Sequence, residues 1–128
     1  MKTRYAVALA VVVGFGLGAI TVQSLHAQAK PPVYQISEID VTNQEAYVKE
    51  YVPRVQATIK AAGGRLLAAG GKVTAFEGAP PKSRIAVSVW DSLEKLQAWR
   101  NSAEYKEARK TGDKYAKFRA FAVEGVSQ

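Results

Sequence analysis

The sequence predicts an α+β domain with the element order β-α-β-β-α-β: an antiparallel four-stranded sheet with both helices on one face. Three observations carry this. The stretch Arg84–Trp90 alternates at period two, with Ile85, Val87 and Val89 on one face and Ala86, Ser88 and Trp90 on the other. β-Branched residues at that period favour a pleated, half-buried strand. Two stretches carry apolar residues at helical spacing: Val48, Val52, Val55, Ile59 and Ala62, then Leu93, Leu96 and Trp99. Each follows a capping residue with a glutamate three positions on, the signature of a helix start.

The first 29 residues stand outside the fold and read as a secretory signal peptide. Lys2 and Arg4 form a positive n-region, and Ala6–Ile20 is an apolar run too short to span a bilayer comfortably. Cleavage is expected after Ala27 or Ala29. The mature domain is then residues 30–128, periplasmic or secreted, with no stable membrane anchor.

Within it, Val33–Val41 is the first expected strand. Its faces are Val33, Gln35, Ser37, Ile39, Val41 and Tyr34, Ile36, Glu38, Asp40. The Glu38 carboxylate, flanked by apolar residues, is either partnered near a cavity or placed at an exposed edge. Thr42 with Glu45 is expected to cap the first helix, with Tyr47 and Tyr51 along the edge of its apolar stripe. Pro53 falls inside that helix and removes a backbone hydrogen bond, so a kink is expected near Lys49–Val52, or two abutting helices. Gly63-Gly64 ends it, one glycine serving as a left-handed cap. Arg65–Glu77 is the second expected strand, interrupted at Gly70-Gly71 by a hairpin turn or bulge. Residues 78–83 turn the chain into the strand Arg84–Trp90. Asp91 with Glu94 is expected to cap the next helix, and Asn101 with Glu104 the one after it. Tyr105–Lys117 is basic, with Lys106, Lys110 and Lys114 on one solvated face. Phe118–Val126 closes the sequence of strands.

This order is the split βαβ, ferredoxin-like arrangement. It leaves one sheet face without helices. The residues on that face are too apolar for water, so the sheet of a second identical chain, related by a two-fold axis, is expected to cover it.

Composition excludes several chemistries. The chain has no Cys, and its one His (His26) and one Met (Met1) leave with the signal. The mature domain therefore holds no Ser-His-Asp triad, no Cys nucleophile, no disulfide, no His-ligated zinc and no His- or Cys-ligated haem. Glu38, Asp40, Glu77 and Glu124 are oxygen donors whose spacing matches no metal-binding loop, so neither metal nor cofactor is expected. The full chain carries a net charge of +7. Loss of Lys2 and Arg4 leaves 16 basic against 11 acidic side chains, a net of +5. That balance suits small acidic ligands or anionic surfaces. It lacks the dense Arg/aromatic pattern of a nucleic-acid binder, and no such partner is expected.

The residues Tyr34–Thr42 (YQISEIDVT), Tyr47 and Tyr51, Gly63-Gly64-Arg65, Glu77-Gly78 and Asn101–Tyr105 (NSAEY) together resemble the DUF1330 family over nearly all of Val33–Val126. The resemblance implies a dimeric α/β barrel, two ferredoxin-like sheets packed face to face. It places the chain in a superfamily that includes cofactor-independent monooxygenases, lactone isomerases and haem-degrading enzymes. It supplies a fold and no activity. This chain also lacks the histidines that several enzymatic relatives use.

Acid–base chemistry would fall to carboxylates, Tyr or Lys. Glu38 is the candidate catalytic residue: against Ile36 and Trp90 its pKa would rise by desolvation. Arg65 would either neutralise Glu38 or bind an anionic substrate in fork geometry. Asn101, Ser102 and Tyr105 form a polar cluster at a helix start that reads either as a pocket rim or as a helix cap. Tyr47 and Trp90 complete the candidate ligand-binding set, Trp90 reading more readily as a core or interface aromatic. Two functions fit: a small-ligand domain, with or without cofactor-free acid–base catalysis in a dimer-associated cavity, or a non-catalytic structural dimer.

Overall fold

The computed structural model describes residues 30–127. The expected signal peptide, residues 1–29, lies outside the described residues. Four strands form one antiparallel sheet: β1 (Val33–Val41), β2 (Arg65–Ala69), β3 (Arg84–Trp90) and β4 (Ala116–Glu124), in the order β2-β3-β1-β4. The helical segments are α1 (Gln44–Ala46), a π-helical turn (Tyr47–Tyr51), α2 (Val52–Ala61), α3 (Leu93–Arg100) and α4 (Ala103–Tyr115). The predicted ferredoxin-like order is the one observed.

Strand parity divides the sheet into two unlike faces. Val33, Ile39, Trp90 and Ala116 point toward the helices and are buried. They pack in two clusters, one with Ile59, Leu96, Trp99 and Tyr105, the other with Tyr47, Tyr51 and Ala108. The opposite face carries Tyr34, Ile36, Glu38, Ile85, Val87, Val89, Phe121 and Val123, none of them buried. Trp90 is only 1% exposed, because Gly64 offers no side chain to oppose it: a Cβ there would lie 2.5 Å from the indole. Trp99 ties α3 to α2 by donating its indole N–H to Thr58 Oγ1 at 3.0 Å.

Local details differ from expectation. Each helix cap lies one residue later than predicted. Asn43, not Thr42, accepts from the Ala46 amide; Ser92, not Asp91, from Lys95; Ser102, not Asn101, from Tyr105. Thr42 instead donates its hydroxyl to the Tyr115 carbonyl at 2.9 Å, joining the start of one helix to the end of another. The interruption at Pro53 takes the form of the π-helical turn just before it, where the Val52 amide reaches back five residues to the Tyr47 carbonyl. β2 stops at Ala69, well short of Glu77. Its bulge falls between Leu66 and Ala68, and Gly70 leaves the sheet at φ +78°. β4 begins at Ala116, two residues before the expected Phe118.

Candidate functional site

A cavity lies between the sheet and the helices, and the sheet sequence explains it. Across the middle of the helix-side face, Ala69, Ala86, Ser37 and Ala120 are register partners. Four small side chains in one row leave a trough. Larger residues bound it: Leu66 and Gln35, on either side of Ser88, in the next row one way, Arg84, Ile39 and Phe118 the other. Tyr47, Tyr51, Tyr105, Trp99 and Arg109 close it from the helices. The empty space is about 620 Å³ including the mouth, of which about 60 Å³ admits the centres of water-sized molecules.

Among the described residues, three guanidinium groups line this space, from Arg84, Arg100 and Arg109, and no carboxylate does. Arg109 is anchored at its outer side, donating from Nε to Asp113 Oδ1 at 2.8 Å and from a terminal nitrogen to Tyr105 Oη at 3.0 Å, with its head 3.8 Å from the Phe118 ring centre. Arg100 donates to Gln35 Oε1 at 2.6 Å and lies over the Tyr105 ring. Arg84 is different. It is 9% exposed, lies 5.2 Å from the Tyr47 ring centre, and belongs to none of the five ion pairs among the described residues. Its guanidinium rests against the Cα of Gly70, in space that any Cβ there would fill.

Tyr47 and Tyr51 stay neutral at physiological pH. Burial pushes the Tyr47 hydroxyl above its ordinary pKa, partly opposed by Arg84. Burial pushes Tyr51 further, reinforced by Tyr105 and Tyr47. Burial works against the Arg109 charge, yet Tyr105 and Asp113 outweigh it and raise its pKa. Among the described residues that line the space there is no Asp, Glu, His or Lys. The arrangement can bind and stabilise negative charge.

The candidate residues separate accordingly. Tyr47 and Tyr105 line the cavity. Trp90 sits behind it, its indole N–H donating to Ser88 Oγ at 2.9 Å. Glu38 lies on the opposite sheet face and pairs with Arg119, its cross-strand neighbour. It meets neither Trp90, which has the other parity, nor Arg65, which is paired to Val89 four residues along the register. Arg65 is exposed on the edge strand. Asn101 is exposed and terminates α3. Ser102 caps α4, also donates to the Trp99 carbonyl at 2.7 Å, and borders a shallow groove with Ala57, Ala61 and Glu104. Among the described residues no cluster of His, Cys, Asp or Glu could hold a metal ion.

Sequence reasoning missed Arg84, Arg100, Arg109, Gln35 and Tyr51. A signal existed for Arg84: it shares parity with Ala86, Ser88 and Trp90, the face opposite Ile85, Val87 and Val89. Arg100 and Arg109 were invisible among the basic residues of their helices.

The fold and cavity define a small ferredoxin-like α+β domain. The chain belongs to the DUF1330 family, a domain of unknown function, which matches residues 32–126. No curated protein matches its sequence. Among solved structures it is similar to a Rhodopseudomonas palustris protein of unknown function, at TM-score 0.63 and 13% identity over 84% of this chain and 94% of that one. It is also similar to SnoaB, a cofactor-independent oxygenase from Streptomyces nogalater, at 0.57 and 9% over 77% and 96%. A dimeric ferredoxin-like protein of unknown function from Bacteroides fragilis aligns at 0.52 and 13% over 73% and 95%. At these identities the likeness is one of fold.

Proposed function

We propose that this domain is an exported homodimer whose chains each bind a small anion in the cavity between sheet and helices. The observation that carries the reading is Arg84. A buried guanidinium without a counter-charge is costly, and folded proteins rarely leave one so. A bound anion, facing Arg84 with Tyr47 and Tyr105 as walls, supplies the missing charge. This places the ligand inside one chain, not in a lumen between two, and gives Glu38 no part in binding. The absence of Asp, Glu, His and Lys among the described lining residues favours binding over acid–base catalysis.

Export rests on the pattern of the first 29 residues; no helix among the described residues is long and apolar enough to cross a membrane. Dimerisation is supported by the apolar, helix-free sheet face and by the printed description of the Bacteroides fragilis neighbour as dimeric.

Native mass spectrometry of the protein purified from the periplasm tests this. The expected species is a dimer carrying one small acidic compound per chain. The Arg84→Met variant should lose that mass while melting no lower than the apo wild type, since the substitution removes an uncompensated charge. An apo protein whose melting temperature ignores added small anions, in wild type and variant alike, overturns the proposal.

A further inference from the structure

Resting on that reading, we infer that the anion is a monocarboxylate with a short apolar tail, bound in preference to an inorganic oxyanion. The first observation is the charge balance of the lining. Arg109 already faces the Asp113 carboxylate at 2.8 Å. Arg100 is half-buried and already donates to the Gln35 amide oxygen at 2.6 Å. Arg84 is the buried one, and it belongs to none of the five ion pairs among the described residues. One uncompensated buried charge is matched by one negative charge.

The second observation is what lies beside that charge. The trough floor is Ala69, Ala86, Ser37 and Ala120, three methyl groups and one hydroxymethyl. Arg84 stands two residues along β3 from Ala86 and shares its face, so the charge and the floor are neighbours. Ile39, Val52, Val55, Leu66 and Phe118 add apolar walls. A carboxylate carries both oxygens at one end. It can meet Arg84 while its carbon chain displaces water from the floor. A phosphate or sulfate carries oxygens on every side. Those turned toward the alanines would lose their water and find no donor there. A second negative charge would meet no second buried guanidinium among the described residues. Size sets the length of the tail. About 60 Å³ for water-sized centres corresponds to roughly four to six water-sized groups, the scale of a four-carbon acid.

The test is a series on the full mature protein at constant ionic strength: acetate, propionate, butyrate, phosphate and sulfate. Binding is followed by melting temperature and by intrinsic fluorescence, since Trp99 lines the cavity. Each buried methylene should tighten binding about fourfold, so butyrate should bind about fifteenfold tighter than acetate. Phosphate and sulfate should bind about tenfold or more weaker than butyrate. Ala86→Leu fills the floor of the trough and should bring the butyrate-to-acetate ratio toward one. Equal binding of acetate and butyrate by the wild type, or tighter binding of phosphate or sulfate, overturns the monocarboxylate inference and leaves the anion site standing. A ratio unmoved in folded Ala86→Leu protein overturns the trough as the seat of the tail. Should that variant fail to fold, the order of the five anions on the wild type decides alone. Failure of every anion, with wild type and Arg84→Met indistinguishable, sinks the anion reading itself.

Discussion

Tyr47 and Tyr51 show how single residues set the behaviour of this cavity. Both phenols are held above their ordinary pKa by burial, Tyr51 the more strongly. In the unfolded chain each ionises near pH 10. Between that value and the higher folded value, the folded state binds more protons, so stability falls as pH rises. The contribution is complete below pH 10 and declines above it by up to about 1.4 kcal/mol per pH unit for each phenol. Urea unfolding at pH 8 and pH 11 should therefore show a large alkaline loss, and Tyr47→Phe should reduce it. Phenolate absorbance rising in a single step near pH 10, with no accompanying unfolding, would contradict this account. Arg84 belongs to the same scale. Its parity was readable from RIAVSVW, but its burial was not, because that depends on Gly70 leaving room for the guanidinium. A contact across a turn has no period in sequence.

Among the elements, the helical segment before Pro53 carries the most information. A regular helix through Val52, Val55 and Ile59 would turn Val48 toward the sheet, and the sequence pattern predicts that. In the structure Val48 is 44% exposed, while Tyr47 and Tyr51 are buried at 2% and 3%. The π-helical turn accounts for the difference. It takes up one extra residue, so the face before it is displaced by one position relative to the face after it. Pro53 has no N–H to bond the Lys49 carbonyl, which removes one competing α-helical bond. Burial of two aromatics outweighs the poorer hydrogen bonding. The displaced caps have a related cause. In Thr42-Asn43, Asp91-Ser92 and Asn101-Ser102 two adjacent residues can cap, and the choice falls to tertiary contacts such as Thr42 with Tyr115. Val48→Ala should cost less than about 0.5 kcal/mol in chemical denaturation, whereas Tyr47→Ala should cost about 3–5 kcal/mol. Equal costs would mean that Val48 faces the sheet in solution and the turn is α-helical.

For the whole molecule, the proposed function gives the two sheet faces separate tasks, and that separation is itself testable. The fold order was legible because strand alternation and helix stripes are local signals. The cavity was not, because it arises from four small residues on four strands, brought into one row only by the register of the sheet. On the other face the matching row is apolar: Ala68, Val87, Ile36 and Phe121. Phe121 is 44% exposed and Val123 50%, which suits burial against a second copy better than contact with water. A two-fold axis would set each such row against its own image, so one charge introduced there is met twice. The wild type is expected to sediment as a dimer, and the double variant Val87→Lys/Phe121→Lys as a monomer. Both side chains point away from the helices, so the monomer should keep its fold by circular dichroism and its anion-dependent rise in melting temperature. A variant that stays dimeric places the interface elsewhere. A folded monomer that no longer responds to anions would mean that the second chain helps to form the site, contrary to a cavity whose lining comes from one chain.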